Sequence, residues 1–532
     1  MTEPSVDLAA TVRGDNSRLA RAGALIAAAG LMARTLGWLR LIVITSIFGA
    51  SSELDAYFAA FRIPDAVFQL IAGGVLSSVL IPLIARFGDG DRVVAWRAVS
   101  GLANILLIAI SLLAAIAALA APQLMPLVAP GFDEAQLAQS VELARIMLIS
   151  PICFTLGAVA SSVLQSQGRF AAAALAPVFY NLAIICSAVL LSASLGVTAL
   201  AVGVAVGAVG YLVVQLIPLL ARTSYRHRLA TGMGQPGVGQ ALLLLLPRSL
   251  GLAGTQLIFI VNTALASTLG NGAVTAYTIS FTLLLIPVGL VGVPLGIVLF
   301  PSLARAAAAK SMDRFRLVLT HALRFTLWTA ALLTALSVVL NGVVVQLLFG
   351  HGQLDDGTLQ TIAATAMVLF AGIGAHSINL VAARAFYAWQ DTKTPVLLTL
   401  GQVAITLTIA IVTVGGLGLP GLALAVAIGS WVKAIAMVLL LSARLRVLDA
   451  AELLRAGGWF AVAGLAAGAA TALAAWIVGT LAAVLPDPAR LAAMVMGGGA
   501  AGTVTYLMAS TALRLPEGRR ALQLVRLSLP RR

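Results

Sequence analysis

The stretch AGALIAAAGLMARTLGWLRLIVITSIFG, residues 22–49, reads as a membrane span interrupted by Arg34 and Arg40. About 20 apolar residues cross a bilayer core, and this run is longer than that. The next run, 54–85, opens with LDAYFAAFRIPD (54–65) and carries Asp55, Arg62 and Asp65. A charge near the bilayer centre costs roughly 2.5–3.5 kcal/mol by insertion scales, so such residues normally face a wet cavity or one another. A chain that keeps this cluster among so few charges is expected to handle a charged ligand inside the membrane.

The rest of the chain has the same character. Of its 532 residues, 61% are hydrophobic and 10% charged, and the mean hydropathy is +1.04. Soluble domains carry about 25% charged residues, so an integral membrane protein is expected throughout. The apolar runs are too long and unbroken for barrel strands, which leaves helices to satisfy the backbone in lipid. The expected fold is therefore all-α, with about fourteen transmembrane helices: 22–49, 54–85, 98–121, 138–164, 170–194, 197–221, 238–268, 273–304, 315–348, 359–387, 395–416, 418–442, 456–485 and 489–513. The excess length of several implies tilt or kinks. The first twenty residues are polar and the first span is long, so it is expected to stay as a helix. Cys153 and Cys186 fall inside spans as small packing residues, and the four histidines are scattered. No disulfide framework, metal site or cofactor is expected.

The net charge of +14 points away from nucleic acid once it is placed on these spans. Arg13, Arg18, Arg21, the loops after every second span and the tail with Arg514, Arg519, Arg520, Arg526, Arg531 and Arg532 all fall on one side. The opposite loops hold Arg490 and the acids Glu53, Asp133, Glu134, Asp355 and Asp356. This is the positive-inside pattern, and it predicts a multi-pass protein of the cell membrane with both termini cytoplasmic. The basic tail reads as an orientation signal or a contact with anionic membrane lipids.

The chain also resembles itself. Val79-Leu80-Ile81-Pro82 with Ala85-Arg86 returns as Val298-Leu299-Phe300-Pro301 with Ala304-Arg305, and Gln167 returns as Gln390. A repeat of six spans, an even number, keeps both copies in one orientation, with a binding site expected between them near mid-membrane. The expected organisation is two six-helix parallel-repeat lobes, 22–221 and 238–442, plus two extra C-terminal helices, 456–513, and the basic tail 514–532. No loop is long enough for a soluble domain, so function has to lie within the helices.

Arg34 falls near the middle of the first span and Arg40 about 9 Å further along it at 1.5 Å per residue. Asp55, Arg62 and Asp65 are spaced to share one helical face, and Pro64 should break the backbone ladder there. One reading is a cationic wall for an anionic headgroup, with carboxylates holding the arginines. The other is internal ion pairing that only fixes helix packing, with Asp55 as a simple helix cap. Arg248 follows Pro247 after five leucines and is either a second cationic wall or a side chain snorkelling to the surface. Arg145, Arg324, Arg384 and Lys433 lie nearer span ends, where snorkelling is expected. No catalytic constellation appears, and no enzyme is expected.

The segments Ala33-Arg34-Thr35-Leu36-Gly37-Trp38-Leu39-Arg40, Leu54 to Asp65 and Gly73-Gly74-Val75-Leu76 resemble the opening of the MurJ (MviN) family of lipid II flippases. Ala383-Arg384-Ala385-Phe386-Tyr387-Ala388 with Asp391-Thr392-Lys393-Thr394-Pro395 is similar as well, as is Leu143-Ala144-Arg145-Ile146-Met147 through Pro177 and Asn181. The resemblance spans nearly the whole chain and implies a fold of the multidrug/oligosaccharidyl-lipid/polysaccharide exporter superfamily. It implies translocation of an undecaprenyl-pyrophosphate-linked peptidoglycan precursor by alternating access, with cell-wall synthesis proteins as further partners. It marks Arg34, Arg40 and Asp55 as cavity residues, with Arg62 at a basic position. Where some relatives carry an arginine pair this chain has Phe68 and Gln69, and an acid–arginine pair is replaced by Phe281 and Thr282. Asn262 and Thr406 stand where relatives with a proposed sodium site carry Asp and Asn. Two other classes stay open at this point: an exporter of another lipid-linked polysaccharide intermediate or amphipathic solute, and a non-transporting scaffold for wall synthesis. Arginines favour an anionic lipid-linked substrate over a cationic drug.

Overall fold

The computed structural model describes residues 8–71, 80, 81, 84, 92–223, 225–229, 238, 239, 256–445 and 450–521. Every regular element among them is a helix. Ten helices are long and apolar enough to span a bilayer, or eleven if a bent pair is one span. The count of fourteen is not confirmed. Two expected spans, 54–85 and 238–268, run through residues outside the described set, and two others meet at a kink inside one long helix as set out below. Side chains such as Leu112, Leu119 and Val412, more than half exposed, show the outward apolar faces that lipid requires.

The chain divides into two compact units, residues 1–260 and 261–532. The first contains α1 (Leu8–Phe48), α2 (Ser52–Ala60), α3 (Arg62–Ile71), α4 (Arg92–Val128), α5 (Glu134–Met147), α6 (Ile149–Ser166), α7 (Ala171–Leu195) and α8 (Thr198–Arg222). A short helix α9 (Gln256–Ser267) contains the division. In the first unit α7 packs closely on α8 because Gly203 and Gly207 present no side chain. A Cβ on Gly203 would lie 2.9 Å from the Ile184 Cα, and one on Gly207 would lie 2.8 Å from the Tyr180 carbonyl oxygen. A core of Ile44, Tyr57, Leu143, Met147, Ile184 and Leu200 ties α1 and α2 to α5, α7 and α8.

The second unit contains α10 (Ala273–Ala308), α11 (Met312–Phe349), α12 (Asp356–Phe370), α13 (Ile373–Ala388), α14 (Lys393–Leu445), α15 (Ala450–Leu481) and α16 (Asp487–Ala512). Gly418, at φ 60° and ψ −139°, breaks α14 into two helices. The expected spans 395–416 and 418–442 are therefore continuous through one residue. The C-terminal pair α15 and α16 packs on α11 around Trp328, Phe460 and Tyr506. Tyr506 Oη donates to the Trp328 carbonyl at 2.6 Å, and Trp328 Nε1 donates to Ser510 Oγ at 3.0 Å.

The repeat seen in the sequence extends into the backbone. Asp133 caps α5 and Asp355 caps α12, each accepting from the amide three residues on. The helix is interrupted at Leu148 between α5 and α6, and α12 and α13 meet at a bend of 46°. The Arg169 amide then donates to the Leu164 carbonyl and the Asp391 amide to the Phe386 carbonyl, both at five residues' reach. Gly196, at φ 53° and ψ −140°, matches Gly418. The Gly73–Arg86 copy lies mostly outside the described residues.

The second cap carries a pH signature. The Thr358 hydroxyl, then the Thr358 amide, hold the Asp355 carboxylate below the usual carboxylate range. A depressed carboxylate contributes stability above its unfolded pKa and loses it as pH falls through the lowered value. Amide exchange in the first turn of α12, corrected for its intrinsic pH dependence, should therefore rise on acidification below about pH 4. The Asp355→Asn variant should show no such rise.

Candidate functional site

The charged cluster of the first unit is built where α2 gives way to α3. Proline has no N–H and its ring crowds the carbonyl four residues back, so Pro64 removes the bond that Ala60 would accept. The helix breaks at Phe61, where it was expected to. Ser51, not Asp55, caps α2, its side chain accepting from the Leu54 amide at 3.2 Å. Asp55 sits in the first turn of α2 and is fully buried. A buried carboxylate there gains from the positive end of the helix dipole, so the simple cap reading gives way to a structural or site role.

Arg62 and Asp65, both half-buried, lie three residues apart and meet two residues of α9 with the same spacing. Gln256 Nε2 donates to Asp65 Oδ2 at 2.7 Å. The Arg62 guanidinium carbon lies 5.4 Å from the centroid of the Phe259 ring, within cation–π range. Arg40, half-buried, places its guanidinium 5.8 Å from the Tyr180 ring centroid. Arg40, Tyr57 and Asp65 are all electrostatic neighbours of the Tyr180 hydroxyl. The structure thus brings Arg40 and Asp65 to one locus, with Arg62 beside it.

Arg34 is placed differently. Asn181 Nδ2 donates to the carbonyl of Ala33 at 3.4 Å and to that of Pro177 at 2.9 Å, which fastens this turn of α1 to α7. The Arg34 side chain is exposed. Six residues along a helix turn the face by about 240°, so Arg34 and Arg40 point apart, and no contact among the described residues joins them. Arg248 lies outside the described residues.

Sequence reasoning missed Tyr180, Gln256 and Phe259. A glutamine early in an apolar helix was the one available signal. Phe68 meets the Phe154 ring edge-on at 5.6 Å. Phe154 in turn meets Tyr180 and Tyr211, each at 5.1 Å. These rings form an aromatic bed that ends at the ring beneath Arg40.

In the second unit, Asn262 Nδ2 donates to Tyr277 Oη at 2.7 Å. Thr406 Oγ1 donates to the Ala425 carbonyl at 3.5 Å. Among the described residues no three His, Cys, Asp or Glu side chains cluster as metal ligands. A cavity of about 970 Å³ opens between α11, α13, the second half of α14 and α15. Leu327, Ala331, Val338, Ile378, Val438 and Phe460 line it, so its walls are almost wholly apolar.

The side chains expected to snorkel have partners within the protein. Arg145 Nε donates to the Ala118 carbonyl at 3.0 Å, and the Arg384 guanidinium lies 5.9 Å from the Phe300 ring centroid. Arg324 is held by two carboxylates, Glu517 at 2.6 Å and Glu452 at 2.8 Å.

The family model described as lipid II flippase MurJ matches residues 44–486. The chain is 32% identical to a Burkholderia cenocepacia protein named lipid II flippase MurJ, over 77% of this chain and 81% of that one. It is 29% identical to a Rhizobium meliloti protein named probable lipid II flippase MurJ, over 77% and 78% of the two chains. Among solved structures, one titled lipid II flippase MurJ in an inward closed conformation superposes with a TM-score of 0.75. It shares 19% identity and covers 92% of this chain and 98% of its own. An inward-facing multidrug resistance transporter of the MATE family superposes at 0.67, with 17% identity over 79% of this chain and 96% of its own.

Proposed function

We propose that this chain, which belongs to the MurJ family of lipid II flippases, moves lipid II from the inner to the outer leaflet of the cell membrane by alternating access. The observation that carries this reading is the extent of the family match, which runs through both units rather than through one motif. The apolar cavity of the second unit is consistent with it, since a polyprenyl chain needs such walls.

The reading assigns roles in the first unit. Arg40 and Arg62 meet the pyrophosphate, whose oxygens suit a planar guanidinium bidentately, and Arg34, on another face of α1, meets it at a different stage of alternating access. Asp65 orients its surroundings through Gln256, and Asp55 sets the first turn of α2 from within. Arg34 and Arg40 precede the matched residues 44–486, so their role rests on the local motif and on cationic chemistry. Arg248 would add a cation from the segment before α9. A cationic drug would call for acids where these arginines stand, and a scaffold has no use for membrane-embedded charge. Proteins of wall synthesis are further partners through their common substrate.

The test is reconstitution. Purified chain in vesicles carrying labelled lipid II should speed its appearance in the opposite leaflet over protein-free vesicles. An unchanged rate, with the protein folded and inserted, would reject the reading.

Orientation is a separate expectation, with both termini cytoplasmic. Ala129 is fully buried, so the exposed Ala135 at the start of α5 is the better external probe. Ala135→Cys should react with a membrane-impermeant thiol reagent in intact cells. Leu229→Cys, at a position 94% exposed, should react only after the cells are opened. The opposite pattern would reverse the orientation.

A further inference from the structure

Beyond the end of α8, residues 225–229 form a strap fastened to the first turns of α4. Trp96, Ser100 and Asn104 recur every four residues and share one face of α4. The Trp96 ring meets the Tyr225 ring edge-on at 5.6 Å. Ser100 Oγ and Tyr225 Oη share a hydrogen bond at 3.0 Å. The Arg228 amide donates to Ser100 Oγ at 3.3 Å, and Asn104 Nδ2 donates to the Arg228 carbonyl at 2.9 Å. Tyr225 Oη also lies 2.9 Å from His227 Nδ1. Tyr225 is buried, whereas Arg226, His227, Arg228 and Leu229 are exposed.

Fastening uses the Tyr225 side chain and the Arg228 backbone, so it does not account for the bases. Arg226 and Arg228 stand free of any ion pair among the described residues. Arg97, also exposed, lies one turn before Ser100 on α4. Helices α4, α6 and α8 contain no acidic residue, so the positive charge here has no counterweight from the helices it lies on. Leu229 is 94% exposed. Water disfavours a leucine held out in this way. At a membrane surface the same arrangement is favourable, with the apolar side chain entering the acyl boundary and its basic neighbours meeting headgroups.

The strap also walls a cavity of about 220 Å³ between α4, α6 and α8. Leu107, Leu156, Val163 and Leu220 line its apolar part, and Asn104, Tyr225 and His227 are its polar lining. Leu220 is 56% exposed, so the cavity is open on the side that a membrane would cover. Sites that enclose a small molecule hold about 300–1,000 Å³. This one is smaller, and its walls suit part of one acyl chain rather than a polar solute. An apolar groove that ends at a cluster of bases is complementary to a lipid with an anionic headgroup.

We propose that the strap and this groove bind one anionic phospholipid, its phosphate against Arg226, His227 and Arg228 and an acyl chain among Leu107, Leu156 and Leu220. The site lies wholly within the first unit, and it stands apart from the flippase reading.

The test is native mass spectrometry of the full chain, with phosphatidylglycerol and phosphatidylcholine of identical acyl chains supplied in equal amounts. The wild-type chain should retain one phosphatidylglycerol in preference to phosphatidylcholine. Replacing both strap arginines, Arg226→Gln with Arg228→Gln, should weaken that retention about thirtyfold, at roughly fivefold for each arginine near a membrane surface. Both side chains are exposed, so the thermal midpoint should not move. Leu220→Trp, which adds bulk at the open side of the groove, should weaken retention with the arginines intact. Excess glycerol phosphate, which has the phosphate and no chain, should not displace the lipid. Equal retention of the two lipids, or retention that ignores the arginine pair, overturns the site. Retention unchanged by Leu220→Trp overturns the seat in the groove. Displacement by glycerol phosphate would make this a site for a soluble phosphate ester and overturn the lipid as its occupant.

Discussion

Arg34→Ala should reduce lipid II translocation to background while the protein still inserts and accumulates. The two parts of this outcome have separate causes. The side chain is exposed and makes no hydrogen bond, ion pair or ring contact with the described residues, so its loss leaves no buried partner unsatisfied and should cost little stability. The pyrophosphate it is proposed to meet carries two acidic groups, and an arginine can bind such oxygens bidentately where a lysine acts as a point charge. Arg34→Lys should therefore keep part of the activity. Arg384→Lys, whose arginine lies over a phenylalanine ring, should be nearly unaffected in transport. The readout is the fraction of lipid II exposed on the outer leaflet in cells that depend on this chain. Normal exposure with Arg34→Ala at wild-type protein level would remove this residue from the substrate site.

The largest stability loss should come from Glu517→Ala. Glu517 holds Arg324 at 2.6 Å, and the two side chains are only 6% and 15% exposed. Removing one partner of a buried pair leaves the other charge uncompensated, at a cost of about 3–5 kcal/mol. Glu452 remains at 2.8 Å from Arg324, so the lower end of that range is expected. The clasp binds α11 to the start of α15 and to the segment after α16, so the loss should appear as a lower thermal midpoint with early loosening of residues 450–521. Glu452→Ala should cost less, since its side chain is 50% exposed and exposed pairs contribute about 0–1 kcal/mol. Equal and small effects of both variants would mean that the clasp does not hold the C-terminal pair.

Much of this architecture is legible in the sequence because it follows from periodic burial and from residues that act locally. Apolar run lengths locate most of the membrane helices, and Pro64 marks the break between α2 and α3. The paired caps at Asp133 and Asp355 and the matched glycines Gly196 and Gly418 realise a repeat first visible as short identities. The boundary between the expected spans 395–416 and 418–442 is legible too, since Gly418 leaves the helical region between them. Of the site, the charged positions are legible but their partners are not. Asp65 finds Gln256, and Arg40 finds Tyr180, across distances in sequence that only tertiary packing closes. Asp55 resembles a cap by position, and only the geometry assigns that role to Ser51. The tail reads as a basic lipid contact, while its one described acid, Glu517, pairs with an arginine 193 residues earlier.

The most direct measurement is replacement. Cells depleted of their own lipid II flippase are supplied with this chain, and the lipid II exposed on the outer leaflet is measured as the resident protein disappears. The account predicts that exposure and growth persist with the wild-type chain and fail with Arg34→Ala at equal protein level. Collapse of exposure with the wild-type chain folded and present in the membrane would contradict it.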